Sequence, residues 1–167
     1  KWHRVIILDP ALGTGTFLCS AIRIINKTMK AHWEEEGRNK SEIVELWNEY
    51  VDDSLIPRLV GIEIMMAPYT IAHININLQL KLTGYTRNSE VRLNVVLANT
   101  LDPILSIADF IPGYLSKEAE LSKDIKENFP ISVIIGNPPY KGESANDIPW
   151  IKELLRKDLP DGSSGYF

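Results

Sequence analysis

Residues 5–18 read VIILDPALGTGTFL: a short β-branched run ends on a carboxylate and passes through two glycines into an apolar stretch with helical spacing. The run at 5–8 shows no apolar–polar alternation, which is how a strand buried on both faces reads. Gly13 and Gly15 allow backbone conformations and close ligand approach that a Cβ forbids. A strand feeding a glycine turn that opens a helix is the architecture that cradles a phosphate or nucleotide, or else a plain strand-to-helix turn.

Three further apolar runs follow, LVGIEI at 59–64, VRLNVVLA at 91–98 and ISVIIG at 131–136. Helical spacing separates them: residues 17–36 carry Phe17, Ala21, Ile24, Ile25 and Met29, and residues 68–82 carry Ile71, Ile74, Leu78 and Leu82. Strands alternating with helices predict a Rossmann-like, doubly wound and mostly parallel sheet. Pro68 suits a first helical turn, where its missing N–H has no partner to lose, and Gly84 suits a C-cap. Residues 26–58 are more than one crossover helix needs. SEIVELWNEYV at 41–51 predicts an inserted helix capped by Ser41, placing a helical insertion at about 37–57 that projects away from the sheet. Glu34 to Glu36, Asp52 and Asp53 read as a solvated face, and no metal site is expected. LSKEAELSKDIKEN at 115–128 predicts a solvent-facing helix. DIPWIKELLRKDL at 147–159 predicts another, opened by Asp147 with Pro149 in its first turn.

The 167 residues, 44% hydrophobic and 24% charged, suit one globular domain with its own core. No apolar run approaches the roughly 18 residues of a membrane span. Residues 1–4 precede too short an apolar run for a secretory leader, and the single Cys19 allows no intrachain disulfide; both fit a reducing cytoplasm. The net charge of −4 has the wrong sign for a surface that grips phosphates, so a nucleic-acid partner has to be held mainly by other segments. The chain enters a strand almost at once and stops in the turn-like DGSSGYF, as a piece of a larger polypeptide would.

The glycine turn narrows the ligand. Leu18 stands where a dinucleotide fingerprint has its third glycine, and the P-loop lysine is missing, which disfavours dinucleotides and nucleoside triphosphates. Asp9 places a carboxylate where a ligand carrying an ammonium group and no phosphates wants one, the charge pattern of S-adenosylmethionine. Glu63 ends the second run and suits the two ribose hydroxyls of an adenosine, or else a carboxylate favoured at a helix N-terminus. It lies almost fifty residues past Gly15, against about 20 in a compact unit, and the insertion accounts for the excess. After the third run, Asn99 or Thr100 meets a base edge, or Asn99 closes an Asx turn.

The fourth run leads into GNPPYKG at 136–142. Methyl transfer to an exocyclic amine needs a nitrogen that becomes more tetrahedral and electron-rich, so acceptors aimed at its hydrogens favour the transition state. The side-chain oxygen of Asn137 is one such acceptor. A backbone carbonyl held rigidly by Pro138 and Pro139 is the second, because proline fixes its own φ and restricts the residue before it. Tyr140 offers a ring on which a planar base stacks, and a base drawn from a duplex has to be flipped to reach it. The plainer reading is a proline turn with Tyr140 capping the core.

Taken in order, DPALGTGTFL, GIEI, ANTLD and GNPPYKG resemble the amino-methyltransferases that act on DNA adenine, above all the methyltransferase regions of type ISP and type IIG single-chain restriction-modification enzymes. The resemblance implies S-adenosylmethionine as cofactor. It implies that Asp9, Pro10, Ala11, Gly13, Thr14 and Gly15 surround the methionine part, that Glu63 holds the ribose, that Ile64 packs on the adenine with Asn99 and Thr100 nearby, and that Asn137, Pro138, Pro139 and Tyr140 take the target adenine. Many relatives have aspartate where Asn99 stands. The resemblance further implies an incomplete methyltransferase domain over 1–167, whose DNA partner is reached through a target-recognition region not contained here and whose parent polypeptide includes nuclease or translocase domains. A protein glutamine or ribosomal RNA amino-methyltransferase, and a non-catalytic adenosine-binding module, are the competing readings.

Overall fold

A computed structural model describes residues 5–87, 92–101 and 114–138. Its elements are β1 (Ile7–Asp9), α1 (Thr16–Glu35), α2 (Lys40–Tyr50), β2 (Leu59–Glu63), α3 (Met66–Leu82), β3 (Asn94–Leu97), α4 (Tyr114–Asn128) and β4 (Val133–Ile134). A π turn (Val51–Leu55) and a 3-10 turn (Ile56–Arg58) join α2 to β2. The four strands form one sheet of order β3-β2-β1-β4. Every pairing is parallel: Ile7 faces Leu59 and Val133, Leu8 faces Val60 and Ile134, and Glu63 faces Leu97. This is a Rossmann-like α/β fold in which the chain steps outward from β1 through β2 to β3 and then returns to the other side of β1. The predicted helix at 147–159 lies outside the described residues.

Alternating strand residues divide the core into two layers. Leu59 and Val95 pack with Leu18, Ile22, Ala72, Ile76 and Leu80 under α1 and α3, whereas Ile6, Val60, Ile62 and Val96 pack with Ile125 of α4. Gly61 is bare because Leu12 occupies the space a side chain would need: a Cβ there would stand 2.8 Å from Leu12 Cδ2.

Several expectations are corrected. In α3, Ile71, Ile74, Leu78 and Leu82 are all exposed, and the buried face is Tyr69, Ala72, Ile76 and Leu80. In α1 the buried apolar positions are Leu18, Ile22 and Trp33, with Phe17 and Ile24 in solvent. Gly15 sets both faces, since it lies so near α3 that a Cβ on it would already stand 3.4 Å from Ala72 Cβ and 3.5 Å from Ile76 Cγ1. The insertion does not project away from the sheet. Ile43, Trp47, Val51, Leu55 and Ile56 are part of the larger core, Trp47 Nε1 donates to Thr83 Oγ1 (3.2 Å), and Asn48 Oδ1 accepts from the backbone N–H of Thr86 (2.9 Å). The cap of α2 is Asn39 rather than Ser41, in a reciprocal capping box with Glu42.

Asp52 is partly buried and accepts from Tyr85 Oη at 2.5 Å, so it is not simply a solvated charge. β4 is not buried on both faces, for Val133 and Ile134 are exposed at a sheet edge of the described residues. α4 is not wholly solvent-facing either: Glu118, Ser122 and Ile125 are buried, and Glu118 reaches the N–H of Leu97 on β3. Gly84 does cap α3, with φ of 92° and the paired bonds from Gly84 N to Lys81 O (3.0 Å) and Tyr85 N to Leu80 O (3.1 Å) that define a Schellman motif.

Candidate functional site

Because all four strands run parallel, their carboxyl ends lie along one margin of the sheet, and each delivers a polar residue there. Asp9 ends β1, Glu63 ends β2, Asn99 and Thr100 follow β3, and Asn137 follows β4. The crossover direction reverses between β1 and β4, which opens the crevice in which α/β sheets hold ligands.

The glycine turn is tied down from below and from the side. Leu12 N donates to Ile62 O (2.9 Å), Gly15 N donates to Leu12 O (3.0 Å), and Asn75 Nδ2 donates to Thr14 O (2.9 Å). Gly13 and Gly15 have φ of 55° and 83°, in the left-handed region that L side chains rarely adopt. Glu63 locks the turn to β2: Oε2 accepts from Gly13 N (2.7 Å) and Oε1 from Met65 N (2.8 Å). Its carboxylate is buried, yet a carboxylate has about four acceptor positions and these bonds use two of them.

Asp9 is the most unusual group in the crevice. It is fully buried, Oδ1 accepts only a 3.2 Å bond from Ala11 N, and Oδ2 has no hydrogen-bond partner among the described residues. Burial pushes its carboxyl above the ordinary value, the Ala11 N–H opposes the rise, and the Glu63 carboxylate adds to it. A buried acceptor left without a donor is costly, and a group that supplied one would relieve that cost.

Around this pair, Ile64, Met65 and Met66 form an exposed apolar patch directly after Glu63. The Asn99 side chain accepts from Leu101 N (3.1 Å), the Asx turn that was one of its two readings. Thr100 Oγ1 donates to Pro10 O at 2.5 Å, tying the loop after β3 to the turn after β1. Asn137 and Pro138 are exposed, immediately past the point where Ile135 N donates to Leu8 O (2.9 Å). Pro139 and Tyr140 lie outside the described residues.

One site residue escaped the reading of the sequence. Gly136 packs against the acidic pocket so closely that a Cβ would stand 3.0 Å from Asp9 Oδ1 and 3.3 Å from Pro10 Cδ. Its position directly before Asn137 was the available signal.

Fold and crevice together define a Rossmann-like α/β fold whose candidate site, among the described residues, is acidic, lacks a phosphate cradle of the P-loop kind, and lies at the switch point beside Asn137 and Pro138. No protein-family model matches the chain, and no curated protein matches it by sequence. Solved structures do. It is similar to a nuclease-deletion mutant of the type ISP restriction-modification enzyme LlaGI in complex with a DNA substrate mimic, at 25% identity, TM-score 0.53, over 82% of this chain and 10% of that one. It is also similar to the DrdV–DNA complex, at 29% identity, TM-score 0.51, over 84% of this chain and 11% of that one. With the ATP-dependent type ISP restriction-modification enzyme LlaBIII bound to DNA it shares the fold, at 23% identity, TM-score 0.66, over 98% of this chain and 10% of that one. The chain thus spans about a tenth of the length of the structures it matches. Among the described residues no helix is long and apolar enough to cross a membrane.

Proposed function

We propose that this chain is the cofactor-binding part of a restriction-modification enzyme that transfers a methyl group from S-adenosylmethionine to the N6 amino group of adenine in DNA. The observation that carries the reading is Asp9, a buried carboxylate with an unpartnered oxygen at the switch point of a sheet that presents Glu63 and Asn137 on the same margin. The residues present fit that cofactor. Asp9 Oδ2 offers an acceptor to its ammonium, the two remaining acceptor positions of Glu63 suit a ribose diol, and exposed Ile64 gives an adenine an apolar face. The cofactor, when bound, supplies an electrophilic methyl group, and the amine that receives it gives up one proton.

The chain's own residues orient the amine. Asn137 accepts from one amino hydrogen, and the carbonyl held by Pro138 and Pro139 accepts from the other, so the nitrogen lone pair is turned toward the methyl group and its charge developed where acceptors already wait. Tyr140 stacks on the target base once it has left the duplex. DNA is held through segments other than this one, in keeping with the net charge of −4 and with the DNA-bound state of the similar structures. Nuclease or translocase domains of a parent polypeptide belong to the same proposal.

The decisive experiment is calorimetric titration of this chain with S-adenosylmethionine, followed by assay of the full-length parent polypeptide for N6-methyladenine in duplex DNA, since this segment alone is expected to be weakly active or inactive. Saturable binding that Asp9→Ala and Glu63→Ala each weaken at least tenfold, in variants whose circular dichroism is unchanged, is the expected result. A folded chain that binds no S-adenosylmethionine would refute the cofactor assignment.

A further inference from the structure

Asp9 raises a question about charge that the cofactor reading leaves open. Two carboxylates, Asp9 and Glu63, are buried side by side at the ends of β1 and β2. Glu63 is served by two short backbone bonds, at 2.7 and 2.8 Å, whereas Asp9 has one long bond and an oxygen with none. Among the described residues no lysine, arginine or histidine forms an ion pair with either. The groups that face Asp9 are the Glu63 carboxylate from β2, the Ala11 N–H of its own turn, and uncharged Gly136 and Pro10.

Burial and a neighbouring like charge each favour the protonated form of a carboxyl. Here the hydrogen bonds separate the two: Glu63 accepts two short backbone bonds, whereas Asp9 has an oxygen that accepts none. We propose that Asp9 carries a proton in the ligand-free crevice and surrenders it when a cationic group is seated against Oδ2, so that binding of a positively charged ligand is coupled to release of one proton. This rests on the cofactor reading above and deepens it: the crevice selects for positive charge by exchanging a proton for it, and a neutral ligand of the same shape gains nothing from the exchange. Burial and the Glu63 carboxylate both raise the Asp9 carboxyl, the direction the exchange requires.

The test is titration of the chain with S-adenosylmethionine between about pH 5 and pH 7, where the ligand's α-amino group, with its ordinary value of about 7.7–8.0, remains charged. Each pH is run in two buffers of different ionisation enthalpy. The expected result is a buffer-dependent heat corresponding to nearly one proton released at the acid end and falling toward zero as pH rises. The association constant should rise by up to tenfold per pH unit across the same window. Infrared difference spectra should lose a carboxylic-acid C=O band on ligand addition, and Asp9→Asn should lack that band and the release together. Tight binding with buffer-independent heat and a flat pH profile would overturn this inference and leave the cofactor reading standing. Failure of the folded chain to bind S-adenosylmethionine at any pH would overturn both.

Discussion

Replacing Asp9 by asparagine removes an ionisable group whose charged form finds no partner for Oδ2 among the described residues, so Asp9→Asn should stabilise the chain wherever pH is high enough to ionise Asp9, while spoiling ligand binding. The substitution keeps the size of the side chain and the Oδ1 acceptor for Ala11 N, and puts an uncharged amide NH2 where the unpartnered carboxylate oxygen stood. Wild-type Asp9 pays the desolvation of a fully buried carboxylate against one 3.2 Å bond. Leaving a buried polar group in that condition costs about 1–3 kcal/mol. For a chain of this size each kcal/mol moves Tm by roughly 2–4 °C, so the variant should melt roughly 2–12 °C higher at neutral pH. The sign follows from the folded-state shift, which is upward from 3.8. The proton is bound more tightly folded than unfolded, so wild-type stability is complete below the unfolded value and declines as pH rises through the folded one. The asparagine that replaces Asp9 does not titrate. The gap between the two proteins should therefore be smallest near pH 4, widen with rising pH and level off once the folded-state value is passed. Thermal unfolding by circular dichroism over a pH series reads this directly. A variant less stable than wild type at pH 7, or a gap that does not change with pH, would refute the account of Asp9 as an uncompensated buried acid.

Gly136→Ala forces a Cβ to 3.0 Å from Asp9 Oδ1, so it should lower S-adenosylmethionine affinity several-fold while costing about 1–3 kcal/mol in unfolding experiments. Gly61→Ala meets Leu12 Cδ2 at 2.8 Å and should destabilise by a similar ~1–3 kcal/mol. The double variant Gly61→Ala with Leu12→Val should recover part of that loss in a thermodynamic cycle. Glu63→Gln retains one backbone bond of the two and should cost about 1.5–3 kcal/mol in chemical denaturation, besides weakening ribose binding. Asn39→Ala deletes the side-chain cap on Ser41 N and Glu42 N, and should cost about 0.5–2 kcal/mol in thermal melts with no effect on ligand titration, since α2 lies away from the crevice.

The linear chain alone determined the order of elements and the chemistry at their ends. Apolar runs alternating with helical spacing read as strands, so the runs before Asp9, Glu63, Asn99 and Asn137 announced a parallel sheet whose carboxyl ends carry polar groups, although the last of them lies exposed at an edge of the described sheet. Gly13, Gly15 and Gly84 were legible because left-handed backbone is a local requirement. Other features depended on distance in space. α3 is apolar on two sides, so spacing could not choose between Ile71, Ile74, Leu78, Leu82 and Tyr69, Ala72, Ile76, Leu80; contact with Gly15 and the sheet chose. Likewise Ser41 and Asn39 are both good caps, and only the bond geometry separates them.

Tertiary structure also decided the electrostatics of the crevice. Asp9 and Glu63 lie far apart in sequence and become neighbours through the β1–β2 pairing, and Gly136 reaches Asp9 through the β1–β4 pairing. A carboxylate's charge state depends on the solvent, donors and charges around it, none of which is a property of the residue itself. The sequence named the acid, and the packing of three strand ends pushed its carboxyl above the ordinary value.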